Sequence, residues 1–389
     1  MYGPEAFGLQ GVFLSLISIL SPVVALRLPL AIAIGKSDRE ARQLASLALF
    51  VALIITTGME VGLQIAVRSE LNLLGLESLG TLIYLLPLVL LFISIHEILD
   101  LSLARSGRFI LISKATVISS LVSNVARVGL GAVFTPSALI LILIATFSPA
   151  INSIILKLGT LKVKTIWQGL SRRRAWNLLH RYADFPVFRV PTDVIGALSQ
   201  SVPVLMLTAM YSPAIAGYYV LARSVVNLPL NVIGSAVGNV YYTSYAKMAR
   251  SGQRLFPLVL KATLIHLTVF GFPLLTISGY FPQLFSLVFG AEWQVSGDFA
   301  SWVSLWIVGM LVNIPSVRVL PVIGKQSLHL VFNVVLSICG AVAIVSSRYA
   351  FDTPLAAIIS FTVTVSSVYV IQIFTYSWLT FCYDRRDNG

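Results

Sequence analysis

The sequence is a succession of apolar runs about as long as a bilayer is thick, and that spacing leaves few folds open. Crossing a hydrocarbon core of about 30 Å takes roughly 20 helical residues. Irregular backbone facing lipid would leave its polar groups unsatisfied, so runs of this length read as helices. Eleven occur, at about 7–33, 43–66, 79–101, 112–132, 138–157, 188–209, 215–240, 257–279, 298–320, 328–346 and 354–378. Soluble domains carry about 25% charged residues. Here 11% are charged and 57% hydrophobic over 389 residues, so most of the surface must face lipid. The expected fold is an all-α polytopic membrane protein.

The formal net charge of +12 does not sit on an exposed domain, which argues against nucleic acid. Alternate loops hold it instead: Lys36, Arg39 and Arg42; Arg105, Arg108 and Lys114; Lys157, Lys162, Lys164, Arg172, Arg173, Arg174, Arg181 and Arg189; Lys247, Arg250 and Arg254; Lys325; Arg385 and Arg386. The intervening loops hold only Arg68 and Arg348. Positive charge stays on the cytoplasmic side of a membrane protein. The C-terminus is therefore expected in the cytoplasm and Met1 outside. No basic stretch precedes the first apolar run, so no cleavable signal peptide is expected. Cys339 and Cys382 lie in or beside apolar segments and cannot form a disulfide framework.

The longest basic segment, 158–187, divides the chain into an N-terminal lobe, 1–157, and a C-terminal lobe, 188–389. Within it Trp176, Leu179 and Tyr182 recur every three residues, with Arg172, Arg173, Arg174, His180 and Arg181 on other faces. That pattern suits either a short helix lying on anionic headgroups or a solvated linker.

MYGPEAFGL at 1–9 aligns with MYSPAIAGY at 210–218, an offset of 209 residues, and Ser15 then coincides with Ser224. Both segments run from an outer loop into a long helix, as parallel repeats with an even helix count require. The second copy follows a helix and the first stands at Met1, so five of six N-terminal helices are expected, with the first missing.

Four stretches, YGPEAFGLQGVFLSLISILSPVVALRLPLAIAIGKSDREA, RYADFPVFRVPTDVIGALSQSVPVLML, YSPAIAGYYVLARSVVNLPLNVIGSAVGNVYYTSYAK and FGAEWQVSGDFASWVSLW with GKQSL beyond it, resemble the oligosaccharide-lipid flippases of the O-antigen (Wzx) type. That group belongs to the superfamily of the MATE drug exporters. The resemblance covers nearly the whole chain. It implies twelve helices in two pseudo-symmetric six-helix lobes around a central, often cationic cavity. It also implies export of an undecaprenyl-diphosphate-linked glycan to the outer leaflet of a bacterial cytoplasmic membrane by alternating access. Membrane lipids and polysaccharide polymerase or assembly proteins are the implied partners. Where the family often has a polar or acidic residue after its arginine, Leu28 and Pro29 follow Arg27 here.

A charge near the bilayer centre costs roughly 2.5–3.5 kcal/mol on insertion scales, so each one is a functional candidate. They are Arg27, Arg127, Arg223 and Arg318, with Glu60, Glu97, Asp100 and Asp193. Arginine's planar fork suits a diphosphate. Arg223 lies about eight residues into its helix, and Asn227, Asn231, Gly234 and Gly238 continue its face. The stripe reads as cavity lining or as helix packing through Gly234 and Gly238. Ser120, Asn124, Arg127 and Gly131 repeat the pattern, although Arg127 could snorkel, as could Arg27 and Arg318. The resemblance raises Arg27, since the family commonly has arginine there. Trp302, Trp306, Gly309 and Asn313 form a further stripe, readable as an interfacial anchor or as a sugar-stacking surface.

No Walker loop is present: Gly35-Lys36-Ser37 lacks the earlier glycine. Without ATP, proton or sodium coupling or downhill exchange remains, with Glu60 and Asp193 as the coupling candidates and no cofactor expected. His96-Glu97-Ile98-Leu99-Asp100 only approximates a zinc motif, with aspartate where the second histidine belongs, so no metal is expected. His266 reads as a packing residue. A small-molecule exporter would show an acid-lined rather than an arginine-lined cavity. A glycan-assembly enzyme would need a larger extramembrane site than the outer loop at about 280–297 provides.

Overall fold

The computed structural model describes residues 2–68, 76–158 and 170–387, which leaves part of the basic segment outside the described residues. Sixteen α-helices follow one another among the described residues. The first eight are α1 (Pro4–Val24), α2 (Leu28–Ile34), α3 (Asp38–Arg68), α4 (Leu85–Arg105), α5 (Phe109–Val133), α6 (Ala138–Leu158), α7 (Arg172–Arg181) and α8 (Val190–Met210). The second eight are α9 (Pro213–Val226), α10 (Leu228–Arg250), α11 (Phe256–His266), α12 (Phe272–Ser278), α13 (Phe281–Phe289), α14 (Gln294–Val319), α15 (Gln326–Ala350) and α16 (Pro354–Asp387). Ten helical stretches among the described residues are long and apolar enough to cross a membrane.

Two of the eleven expected helices are broken beside a proline, and a third, at 257–279, passes through a π-helical turn at Leu267–Gly271 between α11 and α12. The run at 7–33 stops at Val24 and restarts at Leu28, and the run at 215–240 breaks at Asn227. In each case a proline, Pro29 or Pro229, opens the next helix. Proline lacks the amide that would carry a helix through, but it fits a helix's first turn. The expected outer loop at 280–297 is also corrected: Phe281–Phe289 is a helix, too short to span.

Packing groups residues 1–201 and 202–389 into two compact units, with the boundary inside α8. Each unit has a hub. In the first, α4 packs against α1, α2, α3 and α6. In the second, α14 is the most enclosed of the spanning helices and packs against α9, α10, α11, α13 and α16. The hubs begin at Leu85 and Gln294, and α1 and α9 begin at Pro4 and Pro213. Both pairs are separated by the 209 residues of the sequence repeat. Outward faces are apolar: on α5, Val117, Leu121, Val125 and Val128 are all exposed, as lipid contact requires.

The polar ends of the helices are closed by side chains. Arg105 donates through Nη1 to the carbonyls of Ile32, Ala33 and Gly35 at 3.2, 3.2 and 2.8 Å, capping the C-terminus of the short α2. Ser37 and Glu40 open α3 with a capping pair: the Glu40 amide donates to Ser37 Oγ at 3.2 Å and the Lys36 amide to Glu40 Oε2 at 3.1 Å. Asp384 accepts the Leu255 and Phe256 amides at 3.0 and 2.8 Å, closing the start of α11.

The α13–α14 junction depends on two glycines. Gly290 holds φ 109° and ψ 161°, a region essentially reserved for glycine. A Cβ on Gly297 would overlap the backbone of Phe281 and Pro282. Gly297→Ala is expected to destabilise the protein by about 3 kcal/mol, since two backbones rather than a flexible side chain must part. Thermal unfolding in detergent measures it, with Gly129→Ala, where a Cβ meets nothing within 4 Å, as the unaffected control.

Candidate functional site

The break between α1 and α2 is left-handed at two successive non-glycine residues, Leu26 (φ 50°) and Arg27 (φ 53°). Each costs roughly 1–3 kcal/mol. The gap is bridged by backbone bonds from Leu28 N–H to Ala25 O and from Leu30 N–H to Arg27 O, at 3.0 and 3.1 Å. Broken membrane helices place charged and unsatisfied groups where a substrate can reach them.

The Arg27 side chain is held between two acids. Its Nε donates to Asp193 Oδ2 on α8 at 2.7 Å, and its Nη1 to Glu97 Oε1 on α4 at 3.0 Å. Arg189 Nε also reaches Asp193 Oδ2, at 3.2 Å. The side chains of Arg27, Glu97 and Asp193 are only 23%, 21% and 16% exposed. Two cations and two acids leave the cluster formally neutral. Arg27 is therefore a fixed, largely desolvated guanidinium whose charge is occupied by carboxylates. Glu97, which the sequence places in a near-zinc motif, is thus engaged by Arg27.

In the second unit Arg223 lies on α9 one turn before the break at Asn227. Its guanidinium sits 5.2 Å from the ring centroid of Trp306 on α14, so it faces protein rather than lipid. Trp306 is fully buried and meets Phe361 edge to face at 5.4 Å between centroids. It is neither an interfacial anchor nor an open sugar platform in this structure. For a half-buried guanidinium over tryptophan the contact is worth about 0.5–2 kcal/mol.

The other candidates take varied positions. Asn227 is half-buried at the junction of α9 and α10, its backbone N–H donating to Arg223 O at 2.9 Å. The Asn231 side chain lies outside the described residues. Arg318 turns its guanidinium onto Gly238 of α10, where a Cβ would come 2.6 Å from Nε. Asn313 is buried at 2% exposure and donates to Gln372 Oε1 on α16 at 2.6 Å, an interhelical bond. Glu60 accepts from Gln64 Nε2 at 3.2 Å, and no ion pair joins it to Arg127 among the described residues. Arg127 is half-buried and its backbone carbonyl accepts from Tyr2 Oη at 2.8 Å. The expected stripe on α5 is divided: Ser120 and Asn124 are exposed, Arg127 is half-buried and Gly131 buried, and Ala115, Ser119 and Ser123 also face inward, with Ser123 donating to Ser148 at 3.0 Å. His266 is buried and donates from Nδ1 to Leu311 O at 2.8 Å, a packing contact.

Sequence reasoning missed Arg189 and Arg105, which read as loop cations. It saw Glu97 without its partner. The only available signal was that an intramembrane acid needs a cation, which does not say which one.

The structure shares its fold with two groups of transporter. An inward-facing multidrug resistance MATE family transporter of the MOP superfamily superposes with a TM-score of 0.72 at 14% identity, covering 98% of this chain and 91% of the other. The lipid II flippase MurJ, in an inward closed conformation, superposes with a TM-score of 0.74 at 11% identity, covering 96% and 81%. No curated protein matches the chain in sequence. The polysaccharide biosynthesis protein family matches over residues 1–298, more than three quarters of the sequence, and the chain belongs to that family.

Proposed function

We propose that the protein is a flippase that moves an undecaprenyl-diphosphate-linked oligosaccharide from the inner to the outer leaflet of a bacterial cytoplasmic membrane by alternating access, with its C-terminus in the cytoplasm. The observation that carries this reading is the broken α1–α2 helix, which presents Arg27 to two carboxylates that a diphosphate can replace. Arg223 is the leading substrate contact of the second unit, at a position not related to Arg27 by the 209-residue offset, with Arg127, Arg318, Asn227, Asn231 and Asn313 as further substrate candidates. Asp193 is the stronger coupling candidate and Glu60 the weaker, because proton or sodium binding at Asp193 would loosen both Arg27 and Arg189. An exporter of organic cations is disfavoured, since Glu97 and Asp193 are already matched by arginines.

Proteoliposomes test the proposal. A fluorescent lipid-linked oligosaccharide placed in one leaflet should become accessible to an impermeant quencher on the other side faster with the protein than without it. Equal rates in protein-free vesicles, or transport of an organic cation alone, would refute it.

A further inference from the structure

At the basic end of the first unit, α7 packs against the start of α3, and the two line an open cleft of about 400 Å³. Leu178 and Tyr182 anchor the helix in the core beside Leu44, Ala48 and Ile98. Trp176, expected on the same face, is instead 64% exposed and points away from the protein. The buried stripe runs one residue off the expected one because Leu178, not Trp176, shares a face with Tyr182 at i+4.

The cavity is chemically asymmetric. Glu40, its acid, is fully engaged: Oε1 takes Arg181 Nη1 at 3.0 Å and the Tyr182 hydroxyl at 3.1 Å, and Oε2 takes the Lys36 amide. Burial first, then this bond to Glu40, pushes the Tyr182 phenol above its ordinary range, so it stays a neutral donor. Arg173 and Arg174 line the same space and make no ion pair among the described residues. They stand in the first turn of α7, where Ser171 makes no side-chain cap bond and the Arg172 and Arg173 amides have no intrahelical acceptor, while the Arg174 and Ala175 amides both donate to Ser171 O at 2.9 Å. Gln43 lines the same cavity, is only 3% exposed, and among the described residues its Oε1 has no hydrogen-bond partner.

We propose that this cavity binds a phosphate ester whose alcohol carries free hydroxyls. The phosphate takes Arg173, Arg174 and the leading two α7 amides, and a hydroxyl donates to Gln43 Oε1. Two guanidinium groups at a helix N-terminus form an anion site. A buried acceptor without a donor is a cost that a ligand hydroxyl removes. Arg27 and Arg223 do not line this cavity, so the inference does not depend on the transport reading. Two sources share the chemistry: the headgroup of a glycerol phospholipid, which the outward Trp176 favours, and a soluble glycerol or sugar phosphate.

The full chain in detergent is tested with phosphatidylglycerol, phosphatidic acid and phosphatidylcholine by native mass spectrometry, and with glycerol 3-phosphate by calorimetry. Retention of phosphatidylglycerol over phosphatidylcholine, reduced about fivefold by Arg174→Ala and unchanged by Arg172→Ala, supports a lipid headgroup. Glycerol 3-phosphate binding with the same pattern and no lipid preference supports the soluble source. Gln43→Leu should weaken phosphatidylglycerol while sparing phosphatidic acid, which has no headgroup hydroxyl. Equal losses for Arg172→Ala and Arg174→Ala, insensitivity to Gln43→Leu, or no binding of any probe would overturn the proposal.

Discussion

Arg27→Ala should destabilise the first unit by about 3 kcal/mol, near the lower end of the 3–5 kcal/mol seen when one partner of a buried ion pair is removed. The lower end is expected because the side chains involved remain about one-fifth exposed. The two orphaned acids should not respond alike. Asp193 keeps Arg189 at 3.2 Å, whereas Glu97 has no second ion-pair partner among the described residues. Adding Glu97→Gln to Arg27→Ala should therefore restore most of the loss, and adding Asp193→Asn should restore little. Thermal unfolding of the four proteins in one detergent measures it as a mutant cycle. Equal rescue by the two neutralisations would mean that Arg27 serves both acids through the same solvent-screened field. Transport should vanish in Arg27→Ala and stay lost in the stability-rescued double variant. That separates a substrate contact from a structural one.

Much of this architecture was legible in the sequence because bilayer thickness sets helix length and hydropathy reads it directly. The 209-residue offset was legible too: α1 and α9 start at its prolines, and the hubs α4 and α14 start one offset apart. The break at Leu26–Arg27 was not, because ALRLPLAI is apolar apart from Arg27 and hydropathy does not register two left-handed residues. Pro29 carried the only local sign. Nor could the partners of Arg27 be read, since Glu97 lies 70 residues away and Asp193 lies 166. Hydropathy gives the depth of a charge in the membrane but not the neighbour it faces. On α5 the inward face missed by one residue, Ser119 and Ser123 for Ser120 and Asn124, because one position rotates a side chain by about 100°.

Arg223→Ala should lower transport efficiency by on the order of 10- to 100-fold while leaving membrane insertion intact, the loss expected for one charge-assisted bond of about 1.5–3 kcal/mol to a diphosphate. The fold should tolerate it better than Arg27→Ala. Arg223 rests 5.2 Å from the Trp306 ring centroid, and a cation–π contact of about 0.5–2 kcal/mol is worth less than the roughly 3–5 kcal/mol of a broken buried ion pair. Arg223→Lys separates two roles. Lysine keeps the charge but loses the planar stack on Trp306 and the two-pronged grip on phosphate oxygens. If the guanidinium only packs, Lys and Ala variants should lose stability in parallel and transport normally once folded. If it binds substrate, both should transport poorly, with Lys falling between Ala and the parent protein. Trp306→Phe adds the last constraint. It keeps the fully buried aromatic position beside Phe361 but weakens the surface on which Arg223 rests. Transport should then fall several-fold through loss of orientation, with the charge unchanged. Normal export by Arg223→Ala, measured on equal amounts of inserted protein, would remove Arg223 from the substrate path.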